Sequence, residues 1–282
     1  MIIRSYHNAA DFLRVMQAPL EENEVANSLM LGVALQYARH PERLTEPVYY
    51  CSVHDATGLI AAVIHAQNHP LLAYQHRSDS TDAFSMIVAD LYQSKIRPSG
   101  VNAPIKVSRK FAHLWQVVSG YQPEVHDRQR LYQCTRTTMI DLAEGELRAP
   151  HKKELNILVD WSLQFSEIVG DALDEKTAQT VLQQRFEDGD LFVWSDGSQP
   201  VSMLMKNRPI THTIAISHVF TPVDLRGRGY ATAAVHTLTR NLLTAGYHSV
   251  NLFTDVTNPT SNHLYQQIGY QSVTEVEKIV FQ

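Results

Sequence analysis

Apolar residues change their period along the chain, and each change marks an element. Residues 9–16 and 21–37 carry apolar positions at helical spacing. Leu29, Leu31, Val33, Ala34 and Leu35 make the second of these helices largely apolar, which predicts deep packing. Pro41 ends it, and 42–46 reads as loop. Residues 48–53 and 59–64 read as an antiparallel pair, with turn chemistry at Asp55-Ala56-Thr57-Gly58. A short strand at 71–74, a helix at 80–94 and a strand at 130–140 follow. Residues 141–153 are polar, contain Gly145 and Pro150, and read as a linker.

The second half repeats this alternation. Helices are expected at 155–168 and 174–186, the latter N-capped by Asp174 and closed by Gly189. Residues 191–195 and 201–206 form a hairpin through Asp196-Gly197-Ser198. Then come a strand at 211–221, a helix at 229–245, a strand at 249–255, a helix at 259–267 and a last strand at 272–281. Asn258-Pro259 suits a helix start, and Gly269 suits a helix end. An internal echo supports duplication. His113-Leu114-Trp115-Gln116 and the following Gly120-Tyr121-Gln122 match His263-Leu264-Tyr265-Gln266 and Gly269-Tyr270-Gln271, allowing one inserted residue. The expected boundary between the halves is 1–140 and 141–282.

Composition narrows the class. At 44% hydrophobic and 19% charged, the chain is globular. A net charge of −5 does not favour nucleic acid or an anionic membrane. Neither a signal peptide nor a membrane span is readable. The two cysteines, Cys51 and Cys134, lie in apolar runs and suggest buried thiols in a reducing compartment, so a cytoplasmic location is expected. Fourteen scattered histidines give no metal-ligand spacing, and no metal is expected.

The chemistry concentrates at 214–231. Ile214, Ile216, His218 and Phe220 alternate with Ala215, Ser217, Val219 and Thr221 as in a strand. Pro222 stops it, and Arg226-Gly227-Arg228-Gly229-Tyr230-Ala231 leads into the apolar-periodic helix. A glycine turn feeding a helix N-terminus binds anions. The first N–H groups lack helical partners, and the dipole is positive there. The loop lacks the Lys-Ser/Thr pair of a Walker A motif, and Thr232 stands where a dinucleotide fingerprint wants glycine or alanine.

With Arg226, Gly229 and Ala231, this stretch resembles the acyl-CoA signature Q/R-x-x-G-x-G/A of the GNAT (GCN5-related N-acetyltransferase) superfamily. Downstream, 258–270 resembles the family's N-x-x-S/A-x-x-x-Y-x-x-x-G-F/Y helix, through Asn258, Ser261, Tyr265, Gly269 and Tyr270. The likeness covers roughly 150–282. It implies an α/β (α+β) protein of tandem GNAT-like folds, each a mixed, mostly antiparallel sheet flanked by helices. The first half then looks degenerate. The turn His76-Arg77-Ser78-Asp79-Ser80 has no glycine and carries an acid, and Trp115 stands in place of the tyrosine, so no CoA site is expected there.

The resemblance further implies acetyl-CoA as co-substrate. Val219 and Thr221 would pair with its pantetheine arm, and Val219 or Phe220 N–H would polarise the thioester carbonyl. Arg226, Gly227, Arg228, Gly229, Tyr230, Ala231 and Thr232 would hold the pyrophosphate. Asn258, helped by Ser261, would hold the arm, and Tyr265 would protonate the departing sulfur. His218 is the candidate base, although strand alternation can turn it away from the cleft. Asp255 is expected to order the Asn258 loop. The function implied is acetyl transfer to a primary amine, on a small molecule or a protein, by direct attack in a ternary complex. A non-catalytic acyl-CoA sensor and an O- or S-directed acyltransferase are the alternatives, and homodimer formation is left open.

Overall fold

Ile2–Tyr6 (β1) begins the chain as an edge strand, followed by helices Ala9–Glu21 (α1) and Ser28–Arg39 (α2). Asn8 caps α1 by accepting from Asp11 N–H at 2.9 Å. The second helix starts seven residues later than the apolar spacing predicts. Asparagine is the reason: Asn23 accepts from Ala26 N–H, and Asn27 donates to Leu20 C=O, offering the backbone turns in place of helix. Next come strands Val48–Asp55 (β2), Gly58–Ala66 (β3) and Leu71–Gln75 (β4), helix Thr81–Gln93 (α3), strand Gly100–Pro104 (β5), helix Ile105–Ser119 (α4) and strand Pro123–Cys134 (β6). The second half runs Glu146–Arg148 (β7), Leu155–Ile168 (α5), Glu175–Glu187 (α6), Leu191–Asp196 (β8), Gln199–Asn207 (β9), Thr213–Phe220 (β10), Tyr230–Thr244 (α7), Ser249–Asp255 (β11), Pro259–Ile268 (α8) and Gln271–Phe281 (β12). The two halves therefore repeat one order of elements. Both α4 and α8 end on a left-handed glycine, Gly120 and Gly269.

The computed structural model describes residues 1–197 and 199–282, so the Ser198 position of the expected hairpin turn lies outside the described residues. Two units form. One comprises Met1–Leu131, Thr254–Thr257 and Ser272–Gln282; the other comprises Tyr132–Phe253 and Asn258–Gln271. A single boundary at 140 is thus corrected. The first half's chain crosses into the second unit after Leu131, and the C-terminal strand belongs to the first unit. The stretch 141–153 is no linker either, since it contributes β7, paired antiparallel with β8.

In the first unit the strand order is β1-β2-β3-β4-β5-β12-β6. From β1 to β12 the pairing is antiparallel except for β4 with β5, which run parallel. Phe84, Ile87, Phe111 and Trp115 of α3 and α4 fill the core against Val63, Val101 and Ile279. Gly100 makes the seat for β12, because any Cβ there would collide with Ile279 C=O. Glu277 of β12 is wholly buried and takes Arg109 at 2.8 Å and Arg128 at 2.9 Å. These partners hold its carboxyl below the usual range against the opposing effect of burial. Arg128→Met is expected to cost about 1–2 kcal/mol, since Arg109 remains to neutralise the buried carboxylate. Urea unfolding of the variant checks this.

In the second unit the order is β11-β10-β9-β8-β7. Pairing is antiparallel except for β10 with β11, which are parallel. One sheet face packs Leu155, Leu158 and Trp161 of α5 and Leu182 of α6 on Met203, Met205 and Phe220. The other packs α7 and α8 on Ile214, Ile216, Val250 and Leu252. Asp174 caps α6 as expected, accepting from Thr177 N–H at 2.9 Å. No helix among the described residues is long and apolar enough to cross a membrane.

Candidate functional site

The site begins where two parallel strands part. β10 and β11 pair only through Thr213–Ser249, Ile214–Val250 and Ala215–Asn251. Beyond that, residues 216–220 have no β11 partner. On the other side, the register with β9 shifts between Ser217 and Phe220. This bulge frees backbone at 218–219 from both neighbours, and His218 takes φ +52°. Backbone released from ladder pairing in this way can offer its N–H groups to a carbonyl oxygen.

The bulge also reverses the faces. Unbroken alternation would put Ile214, Ile216, His218 and Phe220 on one side. Instead, Ile214 and Ile216 pack with α7 and α8, and so does Val219, whereas Phe220 packs with α5 and α6. The His218 ring lies on Phe165 of α5, centroids 5.0 Å apart. His218 therefore faces α5, away from the cluster that holds Tyr265.

The loop after β10 folds through a short 3₁₀ turn at Val223–Leu225. Gly227 and Gly229 both sit at positive φ, +77° and +79°, a region costly for other residues. Arg226 Nε donates to Thr221 C=O at 3.0 Å, and Arg228 donates to Asp224 C=O at 3.3 Å. These bonds fold both arginines over their own loop. The first helical bond of α7 runs from Ala233 N–H to Gly229 C=O. The N–H groups of Tyr230, Ala231 and Thr232 precede it and point out of the helix end. The Tyr230 hydroxyl donates to Asp196 at 2.6 Å and pins this end to β8.

Helix α8 supplies the other side. Asn258 Oδ1 accepts from Ser261 N–H at 3.0 Å, so the asparagine caps the helix and keeps its amide N–H₂ for another acceptor. Asp255 orders the preceding turn by accepting from Thr257 N–H at 2.7 Å. Tyr265 is buried between Tyr132 and Tyr270 rings, at 6.3 and 5.9 Å. It shares one apolar cluster with Ile216, Tyr230 and Val219. Burial alone pushes its phenol pKa up, so the proton stays on oxygen at neutral pH.

The structure thus gathers Val219, the α7 N-terminus and Tyr265 on one side of β10. It places His218 on the opposite side. Desolvation, helped by Arg185 and Arg208, lowers the His218 pKa to about 4. The ring is neutral at pH 7 and a weak base. On acidification the unfolded chain, near the ordinary 6.5, takes its proton first. Stability therefore falls as pH drops from about 6.5 towards 4, by about 1–2 kcal/mol between pH 7 and pH 5 since the ring is not wholly sealed from water. His218→Asn should flatten that slope in urea unfolding at the two pH values. The patterning missed one residue near this ring, Arg208, which follows β9 and carries no motif signal.

Residues 156–270 match the model of the Acetyltransferase (GNAT) family. Solved structures share the fold of the entire chain. A GNAT-family acetyltransferase from Colwellia psychrerythraea is similar at 14% identity and a TM-score of 0.61, covering 100% of both chains. A Drosophila protein is similar at 13% identity and 0.66, over 100% of this chain and 98% of its own. A GCN5-related N-acetyltransferase from Sphaerobacter thermophilus is similar at 16% and 0.62, over 99% and 95%. No curated protein matches.

Proposed function

We propose, from the match of residues 156–270 to the GNAT family model, that the protein moves an acetyl group from acetyl-CoA to a primary amine, by direct attack in a ternary complex. The observation that carries this reading is the parting of β10 and β11 after Ala215 and Asn251, beside a two-glycine loop that opens α7. An extended pantetheine arm can complete the β10 edge there, and its pyrophosphate meets the free N–H groups of Tyr230, Ala231 and Thr232. Arg226 and Arg228 add charge. The Asn258 amide and Ser261 steady the arm.

Acetyl transfer forms a C–N bond and breaks a C–S bond. Backbone N–H groups in the 218–220 bulge bind the carbonyl oxygen as it gains charge. Tyr265 gives its proton to the departing sulfur and regains one from solvent. The attacking amine loses a proton to water, because His218 is too weakly basic to hold it. The first half takes no part in donor binding. Its corresponding loop has no glycine, and Arg77 there is tied to Asp55 at 2.6 Å and Asp79 at 3.1 Å.

Amine-dependent release of free CoA thiol, followed over a panel of amines, alcohols and thiols, tests the reading. Release only with amines supports it. Release only with alcohols or thiols moves the reaction to another acceptor class. Binding of acetyl-CoA with no release in any case makes the protein a sensor.

A further inference from the structure

Arg208 sits just beyond β9, and its Nε is buried without an acceptor. Its cost is evident, because a guanidinium N–H shielded from water needs an acceptor. Asp190 is already shared by Arg185 at 3.3 Å and Lys206 at 3.4 Å. Arg185 also donates to Asn207, the residue before Arg208, at 3.1 Å, which brings α6 over this spot. Ser217 contributes a second orphan: its Oγ is buried with no partner. Ser217 lies directly across from Met205, whose side chain packs with α5 and α6, so the hydroxyl is on the same sheet face.

The His218 and Phe165 rings meet on this side of β10, tilted 37° to one another. Both Arg208 and His218 have left-handed backbones, φ +45° and +52°, a strain that side chains of their size rarely carry. Arg185, Lys206 and Arg208 thus outnumber Asp190 on the side of β10 that carries an unpartnered hydroxyl and a neutral imidazole. All of it adjoins the bulge whose backbone faces the acyl group in the reading above.

We propose that the acceptor amine carries a carboxylate, bound by the Arg208 guanidinium and the Ser217 hydroxyl beneath α5 and α6. This rests on the acyltransferase reading and names the substrate class for it. The planar guanidinium matches a carboxylate through two parallel N–H···O bonds. Ser217 O–H donates a third. An amino acid or an ω-amino acid has the required pairing of a nucleophilic amine with a carboxylate a few bonds away. The overall net charge is −5; the local charge at this face has the opposite sign.

The test is binding, so it does not wait on turnover. N-acetylglycine, N-acetylalanine and N-acetylglutamate are each titrated calorimetrically against the CoA-saturated protein, beside the carboxamide of each. At least one carboxylate should bind about tenfold or more tighter than its amide. Arg208→Met should erase that difference, and Arg208→Lys should restore part of it, with the affinity for acetyl-CoA itself unchanged. Thermal melting confirms that each variant is folded, and Ser217→Ala provides a second, gentler loss of a few-fold. Equal affinities of acid and amide in the unaltered protein would overturn the proposal. So would a preference that survives both Arg208→Met and Ser217→Ala. Release of CoA thiol is then measured with glycine, alanine and glutamate against their amides. A carboxylate preference in binding without release would sink the acyltransferase reading alone and leave the anion site standing.

Discussion

Gly229→Asp should raise the dissociation constant for acetyl-CoA by about two to three orders of magnitude. Gly229 is the N-cap of α7 at φ +79°, with its missing Cβ 3.6 Å from Ala143 Cβ. A side chain fits in space. Its carboxylate would stand where the account puts a diphosphate. Two like charges about 4 Å apart near a protein surface repel by about 4 kcal/mol, and salt trims this. Gly229→Ala separates charge from backbone strain: it should cost about 1 kcal/mol of stability while leaving CoA affinity within a few-fold. If Asp and Ala weakened binding equally, strain alone would be acting and the diphosphate would lie elsewhere.

Tyr265→Phe should lower kcat by about a hundredfold and leave KM for acetyl-CoA nearly unchanged. The ring keeps its packing between Tyr132 and Tyr270, so only the hydroxyl is lost. Because burial raises the phenol's pKa, the rate should show no loss of this acid up to pH 9. The thiolate gains basicity from the same dry surroundings, which keeps the proton transfer feasible. An unaltered kcat in the phenylalanine variant would return Tyr265 to the core as a packing residue.

Much of the fold could be read from local patterns. Helices α5, α7 and α8 and strands β10 and β11 came from periodicity and caps to within a residue or three. The duplication was visible in the Trp115 and Tyr265 neighbourhoods. What escaped was non-local or short. β1 is a half-exposed edge strand of five residues, β5 has five and β7 three, too few for a period to show. The place of β12 in the first unit depends on the missing Cβ of Gly100, a contact across 179 residues of chain between Gly100 and Ile279.

At the site, the signature loop and the α8 residues were legible because each carries a local signal: glycine at positive φ, asparagine at a cap, proline at a first turn. The bulge at His218 was not. Strict alternation predicted one continuous face, and only the register shift against β9 shows that Phe220 changes sides. Arg208 gave no warning in sequence, since its meaning lies in the partners it lacks.

The most direct test of the account is calorimetric titration of acetyl-CoA into the full chain. One site per chain is predicted, lost in Gly229→Asp and kept in Gly229→Ala. No binding would reduce the loop before α7 to a structural turn. Two sites per chain would contradict the assignment of the donor site to the second unit alone.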